Sequence, residues 1–265
     1  MRYLVFGDPH GNYLALNRLL GELNYAPGAD RLIFVGDYID HYRWNSERDA
    51  KKTVEKIIQL QKESPSTVFP IRGNHDDWFD EWIRSGGTPP LIWYSQGGKE
   101  TIQSYYPAFQ SQDYVDKEVL ALVLDAIPQD HRGFFHDLPL YYYDEIMLVV
   151  HGGLPVLWMA KKFLEKLRDK ESMGDLISMF RNNLLWDREW QKGTSRHRKI
   201  LSENLGPNHL LIVGHTQGRD VYGEFVSGPF RNGNIINMDS FGLHCFVLDT
   251  ETGEQYLTGV DDELK

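Results

Sequence analysis

Leu32-Ile33-Phe34-Val35-Gly36-Asp37-Tyr38-Ile39-Asp40-His41 reads as a buried strand that empties into a polar loop. Four apolar residues, β-branched at Ile33 and Val35, run straight into Gly-Asp and then a second acid. A run this short, closed by glycine, fits a central parallel strand, and the carboxyl ends of such strands are where open α/β sheets place their ligands. Asp37 is therefore expected at a sheet edge.

The same grammar recurs along the chain. Tyr3-Leu4-Val5-Phe6 precedes Gly7-Asp8-Pro9-His10-Gly11-Asn12, and Val68-Phe69-Pro70-Ile71 precedes Arg72-Gly73-Asn74-His75-Asp76. Met147 to Val150 leads into His151-Gly152-Gly153, and Leu210 to Val213 into Gly214-His215-Thr216. Five strand ends thus deliver Asp, His and Asn side chains.

Between them the spacing turns helical. Leu14, Leu16, Leu19, Leu20 and Leu23 share one side of a helix that Pro27-Gly28 ends, and residues 47–63 repeat the pattern with Val54, Ile57, Ile58 and Leu60 before Ser64-Pro65. The chain therefore opens β-α-β-α-β. Residues 77–115 show no single period: Trp78, Trp82, Trp93, Tyr94, Tyr105 and Tyr106 alternate with Gly86-Gly87, Pro89-Pro90 and Gly97-Gly98. This stretch is read as an excursion beside the site, its aromatics packing a satellite core or, in part, stacking on substrate. Helical spacing resumes at 116–127. Leu138 to Tyr143 and Met147 to Val150 read as an antiparallel pair turning at Asp144-Glu145, Leu157 to Leu167 as helix, and Ile235 to Met238 and His244 to Leu248 as closing strands. A mixed two-sheet α/β body fits these elements best.

The 265 residues contain no internal repeat and nothing that reads as a linker, so a single domain over 1–265 is expected. Hydrophobic residues at 41% and charged ones at 25% place the chain among globular proteins, and no apolar run approaches a bilayer span. The net charge of −10 argues against binding to polymeric nucleic acid. Met1 stands two residues before the first expected strand, leaving no room for a signal peptide, and the lone Cys245 excludes an internal disulfide; a reducing cytoplasm is the expected location. Cys245 lies in an apolar strand without a local base, which speaks against a cysteine nucleophile.

Asp8 and His10, two apart on a short loop, can turn both heads toward one ion, and Asp37 offers two oxygens able to bridge two. Asn74, His151 and His215 complete the set. A lone Asp after Gly is usually a turn residue and a lone His usually core or surface; five independent strand ends that all deliver ligand types are hard to obtain from turn chemistry alone. Imidazole mixed with carboxylate and amide oxygen suits two ions of Mn²⁺, Fe or Zn²⁺ rather than Ca²⁺ or a thiolate site.

This set resembles the calcineurin-like metallophosphoesterase superfamily, and within it the serine/threonine phosphoprotein phosphatases with their bacterial and phage relatives. Gly7 to Gly11 looks like that family's G-D-x-H-G, Gly36 to Asp40 like G-D-x-x-D, Gly73 to His75 like G-N-H, and His151-Gly152 and Gly214-His215 like its two later histidine motifs. Trp93 to Tyr105, Leu184 to Arg188 and Asn237 to Ser240 look like weaker landmarks. The resemblance implies a four-layer α/β-β/α sandwich of two mixed sheets flanked by helices, with a dinuclear site. It implies that Asp8, His10 and Asp37 hold one ion, most often Mn²⁺, and Asp37, Asn74, His151 and His215 the other. It further implies that His75 protonates the leaving oxygen while Asp40 holds its ring, and that a metal-bridging hydroxide attacks phosphorus directly.

Two departures bear on substrate. Protein phosphatases of this kind continue G-D-x-x-D with Arg-Gly, whose guanidinium clamps phosphate; here His41-Tyr42 follows, so His41, Arg43 and Arg188 are the clamp candidates, with a surface salt bridge as the other reading of Arg188. Many phosphodiesterase branches carry a second histidine two residues after His215, where this chain has Gln217. The phosphatase-like branch is therefore favoured, with a phosphoprotein or small phosphate ester as substrate. Hydrolysis of dinucleoside polyphosphates or small phosphodiesters is the alternative, and a non-enzymatic scaffold is disfavoured because no ligand position is lost.

Overall fold

The computed structural model describes residues 1–41, 48–217, 220, 228–240 and 242–261. Ten strands form two five-stranded sheets. The first contains β1 (Arg2–Phe6), β2 (Arg31–Phe34), β3 (Val68–Pro70), β9 (Gly242–Asp249) and β10 (Gln255–Asp261) in the order β10-β9-β1-β2-β3. The second contains β4 (Tyr141–Tyr143), β5 (Met147–Val150), β6 (Leu210–Val213), β7 (Phe230–Asn232) and β8 (Ile235–Asn237) in the order β4-β5-β6-β8-β7. Each sheet has a parallel centre, β1-β2-β3 in one and β5-β6-β8 in the other, with antiparallel strands at one or both edges.

The sequence explains why these sheets face each other. Side chains alternate across a strand, and here both faces are apolar: Tyr3 and Val5 of β1, Ile33 after them, and Met147, Val149, Leu210, Ile212 and Ile236 pack together between the sheets. Leu4, Phe6, Leu32 and Phe34 point the other way, into a core shared with α1 (Tyr13–Glu22), α2 (Ala50–Glu63), α3 (Asn74–Ser85), α4 (Leu91–Trp93), α5 (Lys99–Tyr105), α6 (Lys117–Ala126) and α7 (Gln129–Asp137). Leu148, Val150, Leu211 and Val213 do the same toward α8 (Leu157–Arg168), α9 (Gly174–Trp186) and α10 (Ser195–Leu205). Helices, sheet, sheet, helices is the four-layer order anticipated above.

Local signals set the helix starts. The Asn12 side chain accepts from Ala15 N at 3.2 Å to open α1, and Asp49 accepts from Lys52 N at 2.9 Å to open α2. At the end of the sandwich where β1 and β2 begin, Tyr3 and Tyr142 hydroxyls and Arg31 Nη1 all donate to Asp144 Oδ2, at 2.8, 2.5 and 2.9 Å, tying one sheet to the β4–β5 turn of the other.

Two sequence expectations change. The strand expected over Leu138 to Tyr143 is confined to Tyr141–Tyr143, because Pro139 has no N–H for a ladder and its carbonyl is taken by Arg72 N at 2.7 Å. Residues 77–85, read as the start of the aperiodic aromatic stretch, are the body of α3, whose Phe79, Trp82 and Ile83 form one buried face. The excursion proper begins at Gly86, and its Trp93 and Tyr105 belong to the main core of the first sheet, the packing reading of those aromatics. No described helix is long and apolar enough to cross a membrane.

Candidate metal centre

The loops after β1, β2, β5 and β6, together with the start of α3, meet at the seam between the two sheets. Backbone bonds lock the first two loops: His10 N donates to Asp37 O and Gly11 N to Tyr38 O, both at 2.9 Å. Asp76 anchors the second loop to α3 by accepting from Asp37 N, Tyr38 N and Gly73 N at 2.8, 3.0 and 2.8 Å. On the other sheet, the buried Gln191 amide reaches Gly152 O and Gly214 O at 3.3 and 2.8 Å, joining the two histidine loops.

Within this frame the six expected ligands come together. Asp8, Asp37 and His151 offer ligand atoms that all lie within 4.8 Å of one another. Asp37 Oδ2 lies 3.8 Å from His10 Nε2 and 3.3 Å from His151 Nε2, so one carboxylate oxygen stands between imidazoles from the two sheets. Asn74 Oδ1 sits 2.8 Å from His151 Nε2 and 2.7 Å from His215 Nδ1. His10 and His151 are oriented by their Nδ1 atoms on the carbonyls of Ile39 and Val35, each at 2.9 Å, the outer hydrogen bonds that turn an imidazole's other nitrogen toward a metal. Gly214 permits the approach of Asp8: a Cβ there would fall 2.2 Å from Asp8 Oδ1.

The site is strained, and its buried acids and imidazoles are strongly coupled. Among the described residues six non-glycines have positive φ, and four of them are His10, Asp37, Asp40 and His215; such backbone costs of order 1–3 kcal/mol per residue and gathers where geometry serves function. Burial works to raise Asp37, but His151, His75 and His10 outweigh it and hold the carboxyl far below its ordinary range. Burial works to lower His151, yet Asp37 and Asp8 push it up to about 10. Burial and then the charge of His151 push His215 down to about 3. Asp8 is raised by burial. Asp8 Oδ1 and His215 Nε2 are buried with no hydrogen-bond partner. Buried polar atoms seldom go unsatisfied, and an acid oxygen and a neutral imidazole nitrogen are both metal donors; the donor set fits a cation.

His75 takes no part in that donor set. Its Nδ1 lies 2.7 Å from Asp40 Oδ2 on a fully buried carboxylate, and its ring packs edge-on against Trp78. Burial lowers its affinity for a proton, but Asp37, Asp40 and Asp76 more than compensate, so it is raised overall. Trp78 in turn meets Trp186, centroids 4.7 Å apart, and Trp186 meets His215. Arg188, two residues beyond Trp186, is exposed, makes no hydrogen bond or ion pair among the described residues, and lies near enough to His215 for its charge to be felt there. Among the described residues, the surface-salt-bridge reading of Arg188 has no partner. His41 is half-buried beside Asp40, and Arg43 lies outside the described residues.

Sequence reasoning assigned no role to Asp76, Gln191 or Asp239. Asp76 carries a signal, an acid at the third position of a helix; Gln191 carries none. Asp239 is buried and raised well above the usual carboxyl range by burial and by the charges of Asp8 and Asp37.

Two facing mixed sheets with helices outside and an acid–imidazole cluster on their seam define the metallophosphoesterase class of fold. The chain belongs to the calcineurin-like phosphoesterase family, whose model matches residues 1–229. It is 33% identical over 72 residues to the serine/threonine-protein phosphatase PP2A-like PPG1 of Candida albicans, covering 27% of this chain and 16% of that one. It is 27% identical over 192 residues to a symmetrical bis(5'-nucleosyl)-tetraphosphatase of a Marinomonas species, covering 69% of this chain and 58% of the relative. The chain thus matches less than two thirds of the length of either relative. Among solved structures, a Saccharomyces cerevisiae protein serine/threonine phosphatase with similarity to human PP5 superposes with a TM-score of 0.55 at 15% identity, over 99% of this chain and 80% of that one.

Proposed function

We propose that the protein is a dinuclear metal-dependent phosphoesterase that hydrolyses phosphomonoesters in the manner of the serine/threonine phosphatases. The observation that carries this reading is the pairing of two arrangements: buried donor atoms without partners converging from both sheets, and the His75–Asp40 pair directly beside them. Asp8, His10 and Asp37 would hold one ion, and Asp37, Asn74, His151 and His215 the second, with Mn²⁺ preferred and Fe or Zn²⁺ compatible with the same donors. Such a pair of ions supplies Lewis acidity toward phosphoryl oxygens and lets water lose a proton near neutral pH.

The remaining roles belong to the chain's own side chains. His75, whose affinity for a proton its acidic neighbours raise, donates a proton to the oxygen that leaves phosphorus, and Asp40 keeps the ring turned for it. Arg188, uncommitted at the rim, grips the terminal oxygens that a monoester offers, with His41 and Arg43 as the remaining candidates for the arginine that the loop after β2 lacks. Trp78 and Trp186 wall the space between His75 and His215 and restrict water there.

A second reading, hydrolysis of dinucleoside tetraphosphates, is favoured by the Marinomonas relative, whose match covers more of this chain than the PPG1 match does. A panel decides between them: metal-stripped protein reloaded with Mn²⁺ and assayed on phosphoserine and phosphothreonine peptides, an aryl phosphate, a bis-aryl phosphate and diadenosine tetraphosphate. The proposal expects the monoesters to give the highest kcat/KM. A higher value for diadenosine tetraphosphate, with ADP as product, would replace it by the second reading.

A further inference from the structure

Asp40 is fully buried, and its carboxylate is held from three sides. Oδ2 accepts from Trp93 Nε1 at 2.6 Å as well as facing His75 Nδ1 at 2.7 Å, and Oδ1 accepts from the hydroxyl of Thr101. The same hydroxyl accepts from Asp40 N at 3.0 Å, so Thr101 grips both the side chain and the backbone of Asp40, whose φ is +61°. Trp93 and Thr101 are themselves completely buried. The chain between them is built around this contact. Over Tyr94–Gly98 the chain kinks between α4 and α5 and leaves helical geometry at Gln96 and Gly97. At Gly97, φ is +101° and a Cβ would fall 2.7 Å from His41 N and 2.9 Å from Asp40 Cβ. The helix breaks where the excursion passes closest to Asp40, which puts an indole N–H on one side of the carboxylate and a hydroxyl on the other.

We propose that Trp93 and Thr101 are positioning residues for the proton-transfer step: by fixing Asp40 they fix His75 with Nδ1 tied to the acid, so that the proton to be transferred is the one on Nε2. A buried carboxylate with two oxygens and a single imidazole partner is free to rotate about its Cβ–Cγ bond, and a rotated acid turns the ring with it; three donors with separate directions leave one orientation. The inference rests on the reading of His75 as general acid.

The test separates the two. Mn²⁺-loaded wild type, His75→Asn, Trp93→Phe, Thr101→Val and Thr101→Ser are compared on a series of aryl and alkyl phosphates of rising leaving-group pKa, with metal content and Tm measured alongside. A general acid is worth roughly 10²–10⁴ in rate, so His75→Asn should lose kcat by about 100-fold or more on alkyl phosphates and far less on para-nitrophenyl phosphate. Trp93→Phe and Thr101→Val should lose about 10-fold on the alkyl esters, with KM within about 2-fold, full metal content and little change on para-nitrophenyl phosphate. Thr101→Ser, which keeps the hydroxyl, should regain most of that loss, and it provides the folded comparison if the valine variant is unstable. Leaving-group-dependent loss in His75→Asn, with equal losses across the series or none in Trp93→Phe and Thr101→Val, would overturn this inference alone. A His75→Asn enzyme indifferent to the leaving group would overturn the acid reading and this inference with it.

Discussion

Arg188 and Asp37 show at the level of single residues how differently two candidate site side chains can be written. Asp37 has a sequence signature, since a strand running into Gly-Asp leaves the acid little choice of place. Arg188 has none beyond its neighbourhood, and its candidacy depends on what the fold leaves undone: an exposed guanidinium near His215 that makes no ion pair among the described residues. A guanidinium held in reserve costs nothing in stability when removed and much in substrate binding. Arg188→Ala is therefore expected to raise KM for a phosphomonoester by roughly 10–100-fold while leaving Tm and metal content unchanged, and Arg188→Lys to recover only part of it because an ammonium lacks the two-pronged fork. Steady-state kinetics beside metal analysis checks this; an unchanged KM would move the clamp to His41 or Arg43. The six donor residues were legible because strand ends in open sheets are stereotyped. Trp93 and Thr101 showed only within the weak landmark Trp93 to Tyr105, with no sign of their contact to Asp40, and Gln191 not at all, since a buried indole, hydroxyl or amide finds its partner through packing.

Elements follow the same division. β1, β2, β5 and β6 were legible as short apolar runs ended by glycine, and the alternation within them sorted inner from outer faces. α3 was partly hidden because its first turn opens with the polar run Asn74-His75-Asp76 and so reads as loop, and β4 was overestimated at its start because Pro139 interrupts the ladder. α7 carries a titration that a solution experiment can read. His131 is buried on it with Nδ1 in a 2.8 Å hydrogen bond with the Tyr105 hydroxyl, and burial pushes it down to about 4. The folded value lies below the unfolded one of about 6.5, so the unfolded chain binds the extra proton between these limits. Stability from this group is intact above about pH 6.5 and is lost as pH falls toward 4. Compared with the wild type, His131→Gln should flatten the fall of Tm across that window, narrowing the drop by on the order of a few degrees. Parallel curves for the two proteins would show that α7 opens before the proton arrives.

For the whole molecule, the decisive fact is that neither sheet owns the site. Asp8, His10 and Asp37 come from the first sheet, His151 and His215 from the second, and Asn74 from the helix that follows β3. Ions bound there would join the two halves and neutralise acids that otherwise repel, and a ligand present at about 100 times its Kd stabilises by roughly 2.7 kcal/mol. Chelation is thus expected to lower Tm by on the order of 5–10 °C and Mn²⁺ to restore it; a Tm indifferent to both would argue against ions at the seam.

The position of β1 has a consequence for how such a molecule comes into being on the ribosome. β1 pairs on one side with β2, which follows soon after it, and on the other with β9, which is made only after the whole second sheet; Gly7 N, at the root of the Asp8 loop, bonds His244 O at 3.0 Å. Until β9 emerges, a nascent β1–β2–β3 unit therefore has one bare edge, the kind of surface that recruits foreign strands unless it is shielded. The Asp8 loop waits for a strand far along the chain to complete its sheet, and synthesis halted before Gly242 would leave every expected ligand in the sequence and no finished sheet on which to hold the first of them.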